Sequence, residues 1–209
     1  MKNFKTLLAT AAISIFAISC SSDDDSTPEI INETEVITTS TITLVPTTEG
    51  LPTITLNGSD IDGIGGEDPI VTVSGPLAAN EIYNASIGLL NETLEETDED
   101  FNVLNEVIEE DLDHQFFYAI SEELDITTQY EGGDFALDSE ENPFGATFTL
   151  RTGDASTGTL TLVLRHELDK ADGEAVLETA GGETEVNTTY PIEIVETAET
   201  AETAETIVE

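Results

Sequence analysis

Apolar and polar residues alternate with period two along most of this chain, and the apolar set is rich in β-branched residues. Ile42 and Leu44 alternate with Thr41, Thr43 and Val45, and Phe148 and Leu150 with Thr147, Thr149 and Arg151. Leu160, Leu162 and Leu164 fall on one face of a single extended run. Side chains two residues apart share a face only in a strand, so this pattern predicts half-buried strands. They fall at 36–45, 52–56, 70–73, 81–91, 115–121, 125–130, 145–151, 158–166 and 184–195. Turn chemistry marks joints at Asn57-Gly58, Gly132-Gly133-Asp134, Thr152-Gly153-Asp154, Asp172-Gly173 and Gly181-Gly182. Many short strands with few intervening helices point to a mainly β chain, an antiparallel immunoglobulin-like β-sandwich.

One segment departs from period two. Phe101, Leu104, Val107, Ile108 and Leu112 lie along a helical stripe, with Val103 off its centre. This predicts one amphipathic helix over about 95–113, packed on the sandwich. Thr93 with Glu96, or Thr97 with Asp100, supplies a capping box at its start. Its trailing acids Glu109, Glu110, Asp111 and Asp113 sit at the negative end of the helix dipole, where they are unfavourable.

The two ends read differently. Lys2 and Lys5 precede an apolar run from Leu7 to Ile18, too short to span a bilayer, which needs ~20 residues. It reads as the core of a signal peptide, residues 1–19. Ala17-Ile18-Ser19-Cys20 follows, and Cys20 is the one cysteine of the chain. The order resembles a bacterial lipobox, in which the cysteine becomes the lipidated first residue and its acyl chains hold the protein to a membrane. Ser21-Ser22-Asp23-Asp24-Asp25 opens an acidic tether over 20–33. The pattern resembles the surface-export signal of Bacteroidota lipoproteins, so the expected location is the outer membrane, on the cell surface. The folded domain is expected over 34–195. Residues 196–209 repeat Glu-Thr-Ala with almost nothing to bury and read as a solvated acidic tail.

Charge narrows the partners. The 209 residues hold 45 Asp and Glu against 5 Lys and Arg. Without the leader, Arg151, Arg165 and Lys170 alone face those 45 acids, a net charge of −42. Such a field repels phosphate backbones and excludes a nucleic-acid binder. A single cysteine forms neither an internal disulfide nor a cysteine-rich metal cluster.

Four stretches carry a family resemblance: the lipobox with its acid run, Asp113-His114-Gln115-Phe116-Phe117-Tyr118, Leu162-Val163-Leu164-Arg165-His166-Glu167, and Ala180-Gly181-Gly182-Glu183-Thr184. With these the chain resembles a family of small flavobacterial outer-membrane lipoproteins, over most of the mature domain. Such proteins are often labelled with a type 1 periplasmic-binding fold. The strand pattern argues against that label, because a doubly wound sheet needs alternating strands and helices. The resemblance implies no particular activity.

Candidate chemistry is sparse. The chain has two histidines. His114 lies where the helix hands over to a strand, with Glu110 four residues before it, and His166 ends a strand, with Glu167 after it. Two imidazoles with carboxylates suit zinc or a similar divalent ion, so His114, His166, Glu110 and Glu167 form a candidate metal set. The alternative is two ordinary histidines at strand ends. Asp60, Asp62, Glu67 and Asp68 lie in a Gly-rich acidic loop that resembles a calcium loop. It departs from the EF-hand pattern, since Ile64 and Val71 stand where ligands belong, and a solvated turn is its plainer reading. Phe116, Phe117 and Tyr118 are a candidate aromatic platform, although neighbouring strand residues point to opposite faces. No Ser lies in a Gly-x-Ser-x-Gly setting and no Gly-rich stretch has a phosphate-loop context, so an enzyme is not expected. The expected function is a non-enzymatic outer-membrane-anchored binding or accessory lipoprotein that assists nutrient capture beside an outer-membrane transporter, with an outer-membrane receptor or glycan as partner; the alternatives are a divalent-metal-binding lipoprotein using His114 and His166 and a structural or adhesive surface module.

Overall fold

A computed structural model describes residues 35–168, 170 and 176–196. These belong to one compact unit, Thr34–Glu209. The leader, Cys20, the tether, the Asp172-Gly173 joint and residues 197–209 lie outside the described residues. Among the described residues no helix is long and apolar enough to cross a membrane.

The described chain is mostly strand, arranged in two sheets. The strands are β1 (Thr39–Pro46), β2 (Ile54–Ser59), β3 (Ile70–Val73), β4 (Leu77–Ala78), β5 (Ile82–Leu90), β6 (His114–Ile120), β7 (Ile126–Gln129), β8 (Thr147–Thr152), β9 (Ser156–His166) and β10 (Glu183–Val195). One sheet runs β3-β2-β1-β5-β8-β7 and the other β4-β10-β9-β6. All pairings are antiparallel except β4 with β10. The nine expected strands are present; the two-residue β4 is too short to leave a periodic signal.

The alternation fills the space between the sheets. Ile42 and Leu44 of β1, Phe148 and Leu150 of β8, and Leu160, Leu162 and Leu164 of β9 are all buried in one core, joined by Val186 and Tyr190 of β10. Burying each such side chain contributes roughly 1.5–3 kcal/mol. The Tyr190 hydroxyl lies 3.1 Å from Ser40 Oγ, so its polar end is satisfied inside the core.

Three local expectations are corrected. Asn57-Gly58 is not a turn but lies inside β2, paired with Thr41 and Ser40 of β1. Glycine is required there by close approach: a Cβ on Gly58 would stand 2.6 Å from Thr188 Cγ2. The helix is far shorter than 95–113. A 3-10 turn, Glu99–Phe101, is capped by the Asp98 side chain, which accepts from the Asp100 amide, so neither Thr-led capping box forms the start. Asn102 leaves helical geometry, and α1 then covers only Leu104–Glu109. Val103, expected off the stripe, is buried, and Leu112, expected on it, is 42% exposed. With no basic residue in its last turn, the helix end lacks a favourable dipole partner, and the chain turns away toward β6. The aromatic platform is also absent. Phe116 enters the core, Phe117 packs on the other face with Val163, Leu168 and Ala180, and Tyr118 stacks on Phe148 with ring centres 3.8 Å apart.

Candidate metal centre

His114 opens β6 and His166 closes β9, and the antiparallel register sets them directly opposite each other. Each continues the inward face of its strand: His114 lies two residues before Phe116, and His166 two after Leu164. The imidazoles stack with centres 4.3 Å apart and planes at 13°. This places two nitrogen donors at one end of the core.

Two carboxylates meet them. Glu185 reaches the site because β10 bulges between Thr184 and Val186, so that Glu185 and Val186 are both buried. A bulge adds one unpaired residue and re-aims its side chain, here turning inward an acid that strict alternation would turn out. Gly182 prepares this approach. It has φ 69°, and a Cβ there would stand 2.2 Å from the His166 carbonyl oxygen, so only glycine lets the chain enter β10 this close to β9. Glu35 comes from the segment before β1, which is anchored where the Thr38 amide donates to the Leu90 carbonyl at 2.9 Å.

The donor atoms are close-set. His114 Nε2 lies 3.2 Å from Glu35 Oε1 and 3.3 Å from Glu185 Oε2. His166 Nδ1 lies 3.0 Å from Glu185 Oε1 and 3.7 Å from Glu35 Oε2. None of the four side chains is more than 4% exposed. One ligand atom from each lies within 4.8 Å of all the others, so the cluster can hold a metal ion. His114 Nδ1 is 3.1 Å from the Glu110 carbonyl. An N–H on Nδ1 donating there leaves the Nε2 lone pair directed at the carboxylates, the arrangement that commonly orients a metal-bound histidine.

The electrostatics are tense without an ion. His114 Nε2, Glu35 Oε2 and Glu185 Oε2 are buried and have no aligned hydrogen-bond partner. Burial works against a charge on His114, but the Glu185 and Glu35 carboxylates close to its Nε2 and the charge of Glu35 push its pKa up to about 10. Burial raises the Glu35 carboxyl, yet the closeness of His114 and Glu185 and the attraction of His114 outweigh it and lower the pKa to about 2. Burial raises Glu185 and its neighbour Glu35 raises it further, which the His114 bond only partly offsets. Two buried carboxylates thus compete for one imidazolium.

The remaining candidate residues lie elsewhere. Glu110 supplies its backbone carbonyl rather than its carboxylate, because α1 ends one residue earlier. Glu167 is exposed on a left-handed turn (φ 52°) just past β9, and strand alternation directs it away from the neighbouring His166. In the acidic loop, Asp62 Oδ2 accepts from the Glu67 amide at 2.8 Å and closes the turn, while Glu67 and Asp68 are exposed. Asp60, Asp62, Glu67 and Asp68 form no converging donor set among the described residues. Glu35 and Glu185 went unseen in the sequence, one lying outside any strand and the other turned inward only by the bulge. Comparisons of the chain with protein-family models, with curated proteins and with solved structures find no match.

Proposed function

We propose that the chain is a lipid-anchored protein that binds one divalent metal ion through Glu35, His114, His166 and Glu185. The observation that carries this reading is the spacing of the buried donors. Zinc bonds of ~2.0–2.1 Å in a tetrahedron set neighbouring donors about 3.3–3.4 Å apart. Measured to whichever oxygen of each carboxylate faces the imidazole, the nitrogen-to-oxygen separations run from 3.0 to 3.7 Å, and one donor atom from each of the four residues lies within 4.8 Å of the rest. Charge supports the same reading: a divalent cation with two neutral imidazoles balances two carboxylates, whereas a proton on His114 leaves one negative charge buried. A cation also needs no directional alignment, so it engages the three buried atoms that have no aligned partner. Two imidazoles and two carboxylates suit zinc among the common ions.

The site is closed, with four protein donors and almost no exposure, which favours holding a metal over catalysis, since a catalytic centre keeps a position open. The ion joins the segment before β1 to β6, β9 and β10. The leader and Cys20 support attachment to a membrane by lipid, and the acid run after Cys20 supports the surface of an outer membrane. The reading is tested by thermal unfolding with and without zinc. Free zinc at 100 times Kd adds about 2.7 kcal/mol. For a domain of this size that raises Tm by roughly 5–11 °C. His114→Ala/His166→Ala must abolish the rise; a rise that survives this double substitution, or no rise in the unsubstituted chain, refutes the site.

A further inference from the structure

The four donors are buried, so an ion needs a path to them. A cleft of about 360 Å³ opens beside the site, and Glu35, Glu185, Asp60 and Asp62 are among the residues that line it. Two of these, Glu35 and Glu185, are cluster members with side chains 2% and 0% exposed, each with an Oε2 that has no aligned donor. The cleft is therefore walled in part by two residues of the metal centre itself.

The two loop acids differ in what they are free to do. Asp62 is occupied in closing its own turn, through the 2.8 Å bond from the Glu67 amide. Asp60 Oδ1 is buried and has no hydrogen-bond partner. Asp60 also shares with Glu185 a smaller cavity of about 10 Å³, close to the space of one water molecule. Its backbone amide donates to the Thr38 carbonyl at 2.8 Å, which holds it against the segment that carries Glu35. Asp60 thus lines both spaces together with Glu185 and carries an oxygen with no hydrogen-bond partner.

We infer that this cleft is the entry path of the divalent ion and that Asp60 is a relay ligand, taking the hydrated ion from the cleft and passing it to Glu185. The inference rests on the metal-binding reading above. The step is a ligand exchange: an Asp60 oxygen replaces one water on the ion, and a Glu185 oxygen then replaces Asp60. A proton on His114 Nε2 passes to water as that nitrogen joins the ion. Asp60 is not itself a member of the four-donor cluster, so it acts on the rate of loading rather than on the final complex. The negative cleft also concentrates cations at its mouth, an effect that raises association rates by 10–10³ and weakens with salt.

The test mixes zinc with metal-free full-length protein in detergent by stopped flow and follows release to a chelator, using His114→Ala/His166→Ala as the blank. Asp60→Asn is close in size to the native residue and removes the charged oxygen. The expected result is a loss of about tenfold in the association rate. The release rate falls by a similar factor, leaving Kd within about threefold of the unsubstituted chain, less than ~1 kcal/mol. Unchanged rates in Asp60→Asn would overturn the relay while leaving the metal centre standing. An unchanged association rate with faster release would overturn it too, since Asp60 would then be supporting the bound ion. No zinc uptake above the blank by the unsubstituted chain would overturn the metal centre and the relay together.

Discussion

Raising the pH of the metal-free protein from about 7 to about 9 weakens the folded state, because His114 there keeps a proton between Glu35 and Glu185 that the unfolded chain has already lost. The folded-state pKa of His114 is pushed up from 6.5 to about 10. A shift of that size corresponds to about 5 kcal/mol of stabilisation by the imidazolium. Because the folded pKa is the higher one, this stabilisation is complete below about pH 6.5 and is lost as the pH rises toward about 10. Between about pH 7 and 9 the loss is roughly 2–3 kcal/mol, which lowers Tm by roughly 4–12 °C. Glu185, also raised, acts in the same direction, but its window opens at about pH 4.5, where the unfolded chain begins to give up that proton. Lys170 opposes near the top of the range, because burial lowers its pKa and the folded form sheds its proton first. Glu35 acts in another window. Its pKa is lowered from 4.5 to about 2, so its contribution is present above about 4.5 and disappears as the pH falls toward 2. The assay is calorimetric unfolding in chelator at constant ionic strength, beside His114→Gln. A Tm that stays flat over pH 7–9, or falls equally in His114→Gln, refutes the reasoning. Zinc-loaded protein should resist the fall, because the ion has already displaced the proton and supplies the positive charge in its place.

Other outcomes follow from the same structure. Glu110→Ala and Glu167→Ala should leave zinc affinity within ~0.5 kcal/mol by calorimetric titration, because neither carboxylate belongs to the donor cluster. Gly58→Ala should lower stability in urea by about 1–3 kcal/mol, since its Cβ would meet Thr188 Cγ2 at 2.6 Å between the sheets. The excess of 45 acidic over 5 basic side chains should make Tm rise with NaCl, as screening shortens from ~30 Å at 0.01 M to ~3 Å at 1 M. A flat Tm across that range would show that self-repulsion does not limit stability.

The sandwich was legible because its signal is local. Residues two apart in β1, β8 and β9 must face the core together, so Ile42 with Leu44 and Leu160 with Leu164 report their own burial. The helix was overread for the same reason: a stripe from Phe101 to Leu112 carries no mark of the break at Asn102. Half of the candidate site was legible, since two histidines in a chain so poor in other special residues stand out. Their carboxylate partners were not. Glu110 and Glu167 are neighbours in sequence, but the contacts that bring in Glu35 and Glu185 depend on strand pairing and on a bulge. The burial pattern of β10 alternates cleanly from Val186 to Ile194 and fails only where Glu185 turns inward. The glycine pair before it, read simply as a turn, also makes room against the His166 carbonyl.

The central claim is that Glu35, His114, His166 and Glu185 form one metal site. It is tested most directly by calorimetric titration of metal-free protein with zinc, beside Glu35→Gln/Glu185→Gln and His114→Ala/His166→Ala. The account predicts one zinc per chain, with proton release, and loss of binding in both double variants. Absence of binding heat in the unsubstituted chain, or binding that persists in either double variant, would contradict it.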